Sequence, residues 1–485
     1  MPRIEHDVAG ALEIPDNALY GVHALRASLN FPVNVPFHRE WYQALGMVKS
    51  ACYLTVRDFL QAGARYYPGV ALPAAHMGNA VLDALIAGAD DVAAGKHYDH
   101  FIVPAICGGA GTSINMNINE IIANVALKRL GHAPGAYGEI DPLDHANIFQ
   151  STNDVVPTAL RLAVMHLLEH LEQEINQLRQ GVEKLENEHR HTVRTAFTQM
   201  AAAAPTTYGR LFSTYSEALS RDWWRMSRCM ERVKVVNLGG NAVGSGLTVP
   251  RYFIFEVVKH LRQLSGKPLT RGENLADVTS NQDELVETHG MLKTHAVNLE
   301  KLAADIRLLA SDIAPEPELT LPARQISSSI MPHKRNPVIN EFIISCCHRV
   351  YGNDTVITSL AGQGCLDLNA YLPAIGHSLM ESLKLLIAAN QSLYLYLIKD
   401  LTVHKERARR RLHHHPGLAT ALVPHIGYHK ASRMAACMKK NRCSIFMANN
   451  KLNLVEPDLL QRLMQAESLQ KLGFSLSELT DSTED

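Results

Sequence analysis

The stretch Ser327-Ser328-Ser329-Ile330-Met331-Pro332-His333-Lys334-Arg335-Asn336-Pro337 brings three hydroxyls, an ammonium and a carboxamide close together. Groups of these kinds suit a site that handles carboxylates. Removing a proton from a carbon beside a carboxylate leaves a doubly charged aci-carboxylate, which needs several N–H and O–H donors and a cation aimed at it. Lys334, Asn336 and the backbone amides of 327–331 are donors of that kind, and so are the hydroxyls of Thr112, Ser151, Thr152 and Thr198. A serine nucleophile has less support, because no Gly-x-Ser-x-Gly elbow is present and spacing singles out no histidine partner. Proton abstraction next to a carboxylate is the chemistry these residues point to. Their wide separation in sequence leaves their assembly open.

The elements that must position them follow from proline placement and apolar period. Pro315, Pro317, Pro322, Pro332 and Pro337 each fix φ and remove a backbone donor, so 314–337 is expected to be loop. A connection of roughly two dozen residues without secondary structure is uncommon in a compact protein and usually functional. Thr112 lies in the turn Gly108-Gly109-Ala110-Gly111-Thr112-Ser113, ahead of a helical pattern from Asn115 to Leu130. A turn of that kind can present amides to an anion. Gln150-Ser151-Thr152-Asn153-Asp154, directly before Pro157, has the composition of a helix N-cap and offers free amides and hydroxyls in the same place.

Apolar residues recur at helical spacing over about 41–62 and 73–94, then over five longer stretches near 157–191, 206–235, 281–311, 338–360 and 373–398. The first of the five runs for roughly 35 residues, or about 50 Å. Helices this long imply an elongated antiparallel bundle with apolar faces that another copy of the chain would cover. Residues 1–40 read as an irregular arm. Beyond Leu401, a basic run from Arg407 to Arg411 and three histidines, His413 to His415, precede shorter amphipathic pieces reaching about Leu472. The basic run reads as a solvated or subunit-facing surface. The histidines read as a polar hinge, because consecutive residues do not converge on a metal. The polar tail Thr480 to Asp485 is expected to be disordered. The expectation is an all-α protein of three domains: 1–142, a central long-helix bundle at 143–398 carrying the loop, and a small helical domain at 399–485.

Composition narrows the function classes. The 485 residues are 46% hydrophobic and 20% charged, with a net charge of −1. That balance gives no electrostatic footprint for nucleic acid or an anionic membrane. The N-terminus lacks the apolar run of a signal peptide, and no stretch of about 18 apolar residues appears, so a cytoplasmic protein is expected. The eight cysteines form no Cys-x-x-Cys pair and read as free thiols. No dinucleotide or triphosphate loop signature is present.

Ser328-Ser329-Ile330-Met331-Pro332-x-Lys334-x-Asn336-Pro337 resembles the signature loop of the aspartase/fumarase superfamily. Tyr20-Gly21-Val22-His23-Ala24-Leu25-Arg26 with Asn30-Phe31-Pro32 resembles the N-terminal arm of its aspartate-specific branch. The segments Gly108–Ser113 with Asn115-Met116-Asn117, and Gln150–Asp154, are similar to the family's other active-site segments. The likeness covers essentially the whole chain.

It implies a three-domain helical fold and a homotetramer whose active sites are each built from three subunits. The implied reaction is anti elimination from a succinyl compound, a small dicarboxylate or amino-acid substrate, releasing fumarate without metal or organic cofactor. Carried onto this sequence, Ser328 is the general base. Lys334 and Asn336 bind the substrate carboxylate with Thr112, Ser151, Thr152 and Thr198, while Asn153 and Gln199 lie near the leaving amine. Thr198-Gln199 and the Gly-Val-His arm favour L-aspartate as substrate. Several positions depart from the family pattern: Phe197 replaces an arginine, Ala201-Ala202 replace Gln-Asp, and Ser327 replaces a glycine. His333-Lys334-Arg335 resembles the adenylosuccinate branch. The alternatives are therefore a lyase on an N-substituted aspartate, a fumarate hydratase, or a catalytically silent member of the superfamily.

Overall fold

The computed structural model describes residues 2–313, 316–476 and 479. Ala314 and Pro315 of the long loop, and the tail 480–485, lie outside them. Among the described residues the chain is mostly helical, and its strands pair two at a time.

The N-terminal arm is more ordered than its composition suggests. β1 (Arg3–Asp7) and β2 (Gly10–Ile14) form an antiparallel hairpin, and α1 spans Val22–Asn30. The Arg3 guanidinium holds the chain that follows by donating to the carbonyls of Pro15, Ala18 and Tyr20. Amides at the start of α1 are taken up by carboxylates from elsewhere: Gly21, His23 and Ala24 donate to Glu120, and Val22 donates to Glu5. That satisfies the orphan donors of a helix start.

The chain continues through α2 (Arg39–Tyr66), α3 (Asn79–Ala93), α4 (Thr112–Arg129) and α5 (Thr152–Glu188). β3 (Val193–Thr198) and β4 (Ala201–Thr207) make a second antiparallel hairpin leading into α6 (Tyr208–Val233). Then come β5 (Val235–Val236), α7 (Arg251–Ser265), β6 (Thr270–Arg271), α8 (Leu275–Ser280) and α9 (Asp283–Leu309), with β5 and β6 parallel. β7 (Leu319–Thr320) is followed by loop up to α10 (Val338–Ala361), and then by α11 (Leu372–Tyr396). β8 (Thr402–Val403) pairs back onto β7. α12 (Lys405–His414), α13 (Val423–Asn441), α14 (Ile445–Leu452) and two shorter helices complete the chain.

Four of the five long helices, α6, α9, α10 and α11, fall within two residues of the bounds expected from periodicity. α5 differs at its start, beginning at Thr152 and keeping Pro157 inside the helix. Proline has no N–H for the carbonyl four residues back. That carbonyl, on Asn153, accepts instead from Asn237 Nδ2 at 2.8 Å. The helix can therefore begin where its cap residues lie.

The chain forms two compact units. One comprises Met1–Glu172, Trp224–Thr294 and His348–Ile387; the other comprises Gln173–Trp223, His295–Cys347 and Ala388–Asp485. The core of the first is built where α2 packs on α3 and α7, around buried Trp41, Tyr42, Leu45 and Tyr53. A Cβ on Gly376 would lie 2.6 Å from the Trp41 ring, so only glycine permits this approach of α11. In the second unit Leu412, Leu418, Leu422, Met434, Met438 and Ile445 share a core with Val193 of β3. The C-terminal helices are thus packed on the hairpin. Among the described residues no helix is long and apolar enough to cross a membrane.

Candidate active site

The residues singled out from the sequence fall into two groups, one in each unit. In the first unit, Thr112 opens α4 and Ser151-Thr152-Asn153 open α5. The Gly-rich turn is built for this. Ala110 and Gly111 have φ of 56° and 94°, which turns the chain sharply into α4. Asn115, one turn into α4, donates to Thr152 Oγ1 at 3.3 Å and ties the two helix starts together.

The start of α5 is a capping box. Ser151 Oγ accepts from the Asn153 amide at 3.1 Å, and Asp154 Oδ1 accepts from the Ser151 amide at 3.0 Å. The other Asp154 oxygen accepts from the amides of Gly239 and Asn241, at 3.2 and 2.9 Å. Asp154 is fully buried, and burial pushes its carboxyl up to about 6 against the pull of these three amides. The Asn153 side chain donates to the Ala242 carbonyl at 2.7 Å. Ser151 and Thr152 are half-buried and Thr112 is exposed, so their hydroxyls remain within reach of a ligand.

Sequence reasoning missed the layer beneath. Asn147 Oδ1 accepts from Lys49 Nζ at 3.3 Å, Asn115 Nδ2 at 3.0 Å and Asn119 Nδ2 at 3.2 Å. Lys49 is fully buried, and burial pushes its ammonium down to about 7. The signal for Lys49 was available: it interrupts the apolar face formed by Leu45, Val48 and Cys52.

In the second unit, Thr198 and Gln199 sit at the tip of the β3–β4 hairpin. Thr198 pairs with Ala201, and the two linking residues, Gln199 and Met200, have φ of 50° and 65°. Two consecutive positive values are the mark of a type I′ turn, normally made by asparagine and glycine. Strain at non-glycine residues of this kind is concentrated at functional sites.

The loop before α10 carries the rest. Ser328 Oγ accepts from the Met331 amide at 2.9 Å and from the Ile330 amide at 3.4 Å. Asn336 Nδ2 holds the Ser327 carbonyl at 2.8 Å and closes the loop on itself. A cavity of about 790 Å³ lies against it, lined by Ser328, Lys334 and Asn336 together with the cations Arg307 and Arg335. Amides turned on a hydroxyl oxygen favour its anionic form, and the surrounding cations favour a carboxylate guest.

A different constellation has the hydrogen-bond order of a hydrolytic triad. His289 lies 2.9 Å from Ser382 Oγ through Nε2 and 3.0 Å from Asp354 through Nδ1. Ser382 and His289 are fully buried, and Asn353 also donates to Ser382 Oγ. With no access for a substrate, this network fastens helices. Among the described residues no group of three metal-ligating side chains occurs.

Comparison with known proteins identifies the class. A lyase family model matches residues 10–352, and a fumarase C C-terminal model matches residues 418–471. Aspartate ammonia-lyase of Bacillus subtilis (strain 168) is 37% identical over 89% of this chain and 88% of its own. Aspartate ammonia-lyase of Escherichia coli (strain K12) is 36% identical over 99% of both chains. The cobalt-bound crystal structure of a fumarate lyase:delta crystallin from Brucella melitensis superposes with a TM-score of 0.89 at 33% identity, covering 97% of this chain and 99% of that one. The chain belongs to the aspartase/fumarase superfamily of lyases and is an enzyme of the ammonia-lyase kind.

Proposed function

We propose that this enzyme removes ammonia from L-aspartate by anti elimination and releases fumarate. The observation that carries the reading is the pair of amides turned on Ser328 Oγ beside Lys334 and Asn336. Ser328, as its alkoxide, takes the Cβ proton. The C–H bonding pair becomes the Cα=Cβ bond, and the amine leaves Cα as ammonia. A serine hydroxyl holds its proton too tightly to serve as a base in water. Donors on its oxygen and a site closed to solvent lower that affinity. Lys334 and Asn336, with Thr112, Ser151, Thr152 and Thr198, bind the carboxylate on which charge builds, and Asn153 and Gln199 face the leaving amine. The reaction so written calls for neither metal nor organic cofactor.

The same reading makes the enzyme a cytoplasmic homotetramer with sites shared among subunits, its chain divided at 1–142, 143–398 and 399–485. Support comes from α10, where Gly352, Thr355, Val356 and Ser359 are exposed, a run of small and apolar groups suited to helix-on-helix association.

A lyase acting on an N-substituted aspartate is favoured by one observation. Ala201, directly opposite Thr198, places only a methyl group where the family carries a carboxamide. Purified protein assayed for fumarate absorbance with aspartate, malate, argininosuccinate and adenylosuccinate separates the readings. Fumarate from aspartate supports the first, fumarate from a substituted aspartate alone supports the second, and none from any of them removes both. Ser328→Ala is expected to leave the assembly intact and abolish turnover; an undiminished rate takes Ser328 out of the mechanism.

A further inference from the structure

The basic run on α12 is expected to be a solvated or subunit-facing surface, and Arg409, Arg410 and Arg411 are exposed. Three of its arginines, Arg407, Arg410 and Arg411, also reach the root of the Ser328 loop. Arg407 Nη1 donates to the Pro317 carbonyl at 3.2 Å, and Arg410 pairs with Glu316. The His404 amide, just ahead of α12, donates to the Glu318 carbonyl at 2.8 Å, beside the β7–β8 pairing. Arg411 reaches furthest. Its Nη1 lies 3.5 Å from Glu318 Oε1, and its guanidinium carbon lies 5.0 Å from the centroid of the Phe197 ring in β3.

Glu318 is 2% exposed. One carboxylate oxygen accepts from the Tyr208 hydroxyl at 2.8 Å, where β4 passes into α6. The other oxygen is buried, has no hydrogen-bond donor among the described residues, and faces Arg411. A buried carboxylate with one oxygen unsatisfied is costly unless a cation compensates it, and a planar guanidinium can do so while stacking on an aromatic face. Arg411 therefore touches both halves of the machinery in this unit, through Glu318 at the loop root and Phe197 next to Thr198. Cross-strand partners share a face and successive residues alternate. Phe197 thus meets Arg411 on the face opposite Thr198, which leaves Thr198 free for a ligand.

We propose that Arg411 is a positioning residue: set between the Glu318 carboxylate and the Phe197 ring, it holds the hairpin bearing Thr198 and Gln199 in fixed relation to the root of the Ser328 loop. The roles of Thr198, Gln199 and Ser328 rest on the aspartate-lyase reading; the clamp itself does not.

The test compares wild type with Arg411→Met, Arg411→Lys, Phe197→Leu and the Arg411→Met/Phe197→Leu double variant. Arg409→Met serves as the control, because among the described residues Arg409 pairs with Glu406 of its own helix, and this variant should behave as wild type. Small displacements of binding groups are expensive in rate, so Arg411→Met should lose roughly ten- to a hundredfold in kcat/KM for aspartate. Arg411→Lys keeps the charge at Glu318 but not the stack, and should fall between. The double variant should lose no more than Arg411→Met, since both changes break one clamp.

Hydrogen exchange supplies a readout independent of substrate. Removal of the guanidinium should speed exchange of 195–203 and 316–321 together. Additive losses in the double variant, an unchanged kcat/KM in Arg411→Met, or faster exchange in only one segment would overturn the proposal. If Arg411→Met fails to fold, Arg411→Lys and Phe197→Leu carry the same comparison. A wild type that releases no fumarate counts against the function reading, and the exchange result still decides the clamp.

Discussion

Lys49 is held deep beside the start of α5, with Asn147 Oδ1 as its acceptor at 3.3 Å. Burial pushes its ammonium from the ordinary lysine value of 10.5 down to about 7. Between those values the folded protein binds fewer protons at this site than the unfolded chain does. Lys49 therefore makes folding more favourable as pH rises from about 7 toward 10.5, the window in which the buried charge is discharged. In denaturant unfolding, the stability of wild type relative to Lys49→Met should increase across that window, by at most about 1.4 kcal/mol per pH unit. A difference that stays flat with pH would mean the ammonium is not strained by burial. The residue was legible as an ionisable group on an apolar helix face. Its purpose was not, because Lys49, Asn115 and Asn119 meet on the Asn147 side-chain oxygen only after three separate segments have packed.

Among the elements, the start of α5 shows how a local signal and a distant one combine. Ser151 and Asp154 form a capping box that the sequence spells out, but the second Asp154 oxygen is committed to the turn at Gly239 and Asn241. Asp154→Ala would leave the Ser151, Gly239 and Asn241 amides without their acceptor and is expected to cost roughly 2–4 kcal/mol in unfolding free energy. Urea titration checks this, and a loss below about 0.5 kcal/mol, the scale of a neutral surface change, would mean water replaces the carboxylate freely. The long helices were legible because their apolar period runs for many turns. The β3–β4 hairpin was not, for two physical reasons. Gln199-Met200 lacks the asparagine and glycine that announce a type I′ turn, and Ala201 to Ala204 favour helix on intrinsic grounds. Pairing also reinterprets two departures from the family pattern. Phe197 and Ala202 lie directly opposite each other, so the arginine and the aspartate are missing from one cross-strand pair. Losing both charges together leaves neither one uncompensated.

For the whole molecule, the proposed site residues divide between the units: Thr112, Ser151, Thr152 and Asn153 in one, and Thr198, Gln199 and Ser328 in the other. Chain order does not say whether one copy or several would supply these groups, and the shared-site expectation rests on the family resemblance alone. The shared-site reading is open to a mixing experiment. Ser328→Ala and Asn153→Ala are each expected to be inactive alone. Unfolded together in equal amounts and refolded, they form mixed oligomers. If a site takes Ser328 from one subunit and Asn153 from another, each donor is intact with even odds. About a quarter of the sites then carry both groups, and about a quarter of wild-type activity should return. If one subunit supplies both residues to a site, every site keeps one defect and no activity returns. Light scattering on the same samples should give the mass of a tetramer. Restored activity in a monomer would contradict the shared-site arrangement as surely as no restoration in a tetramer.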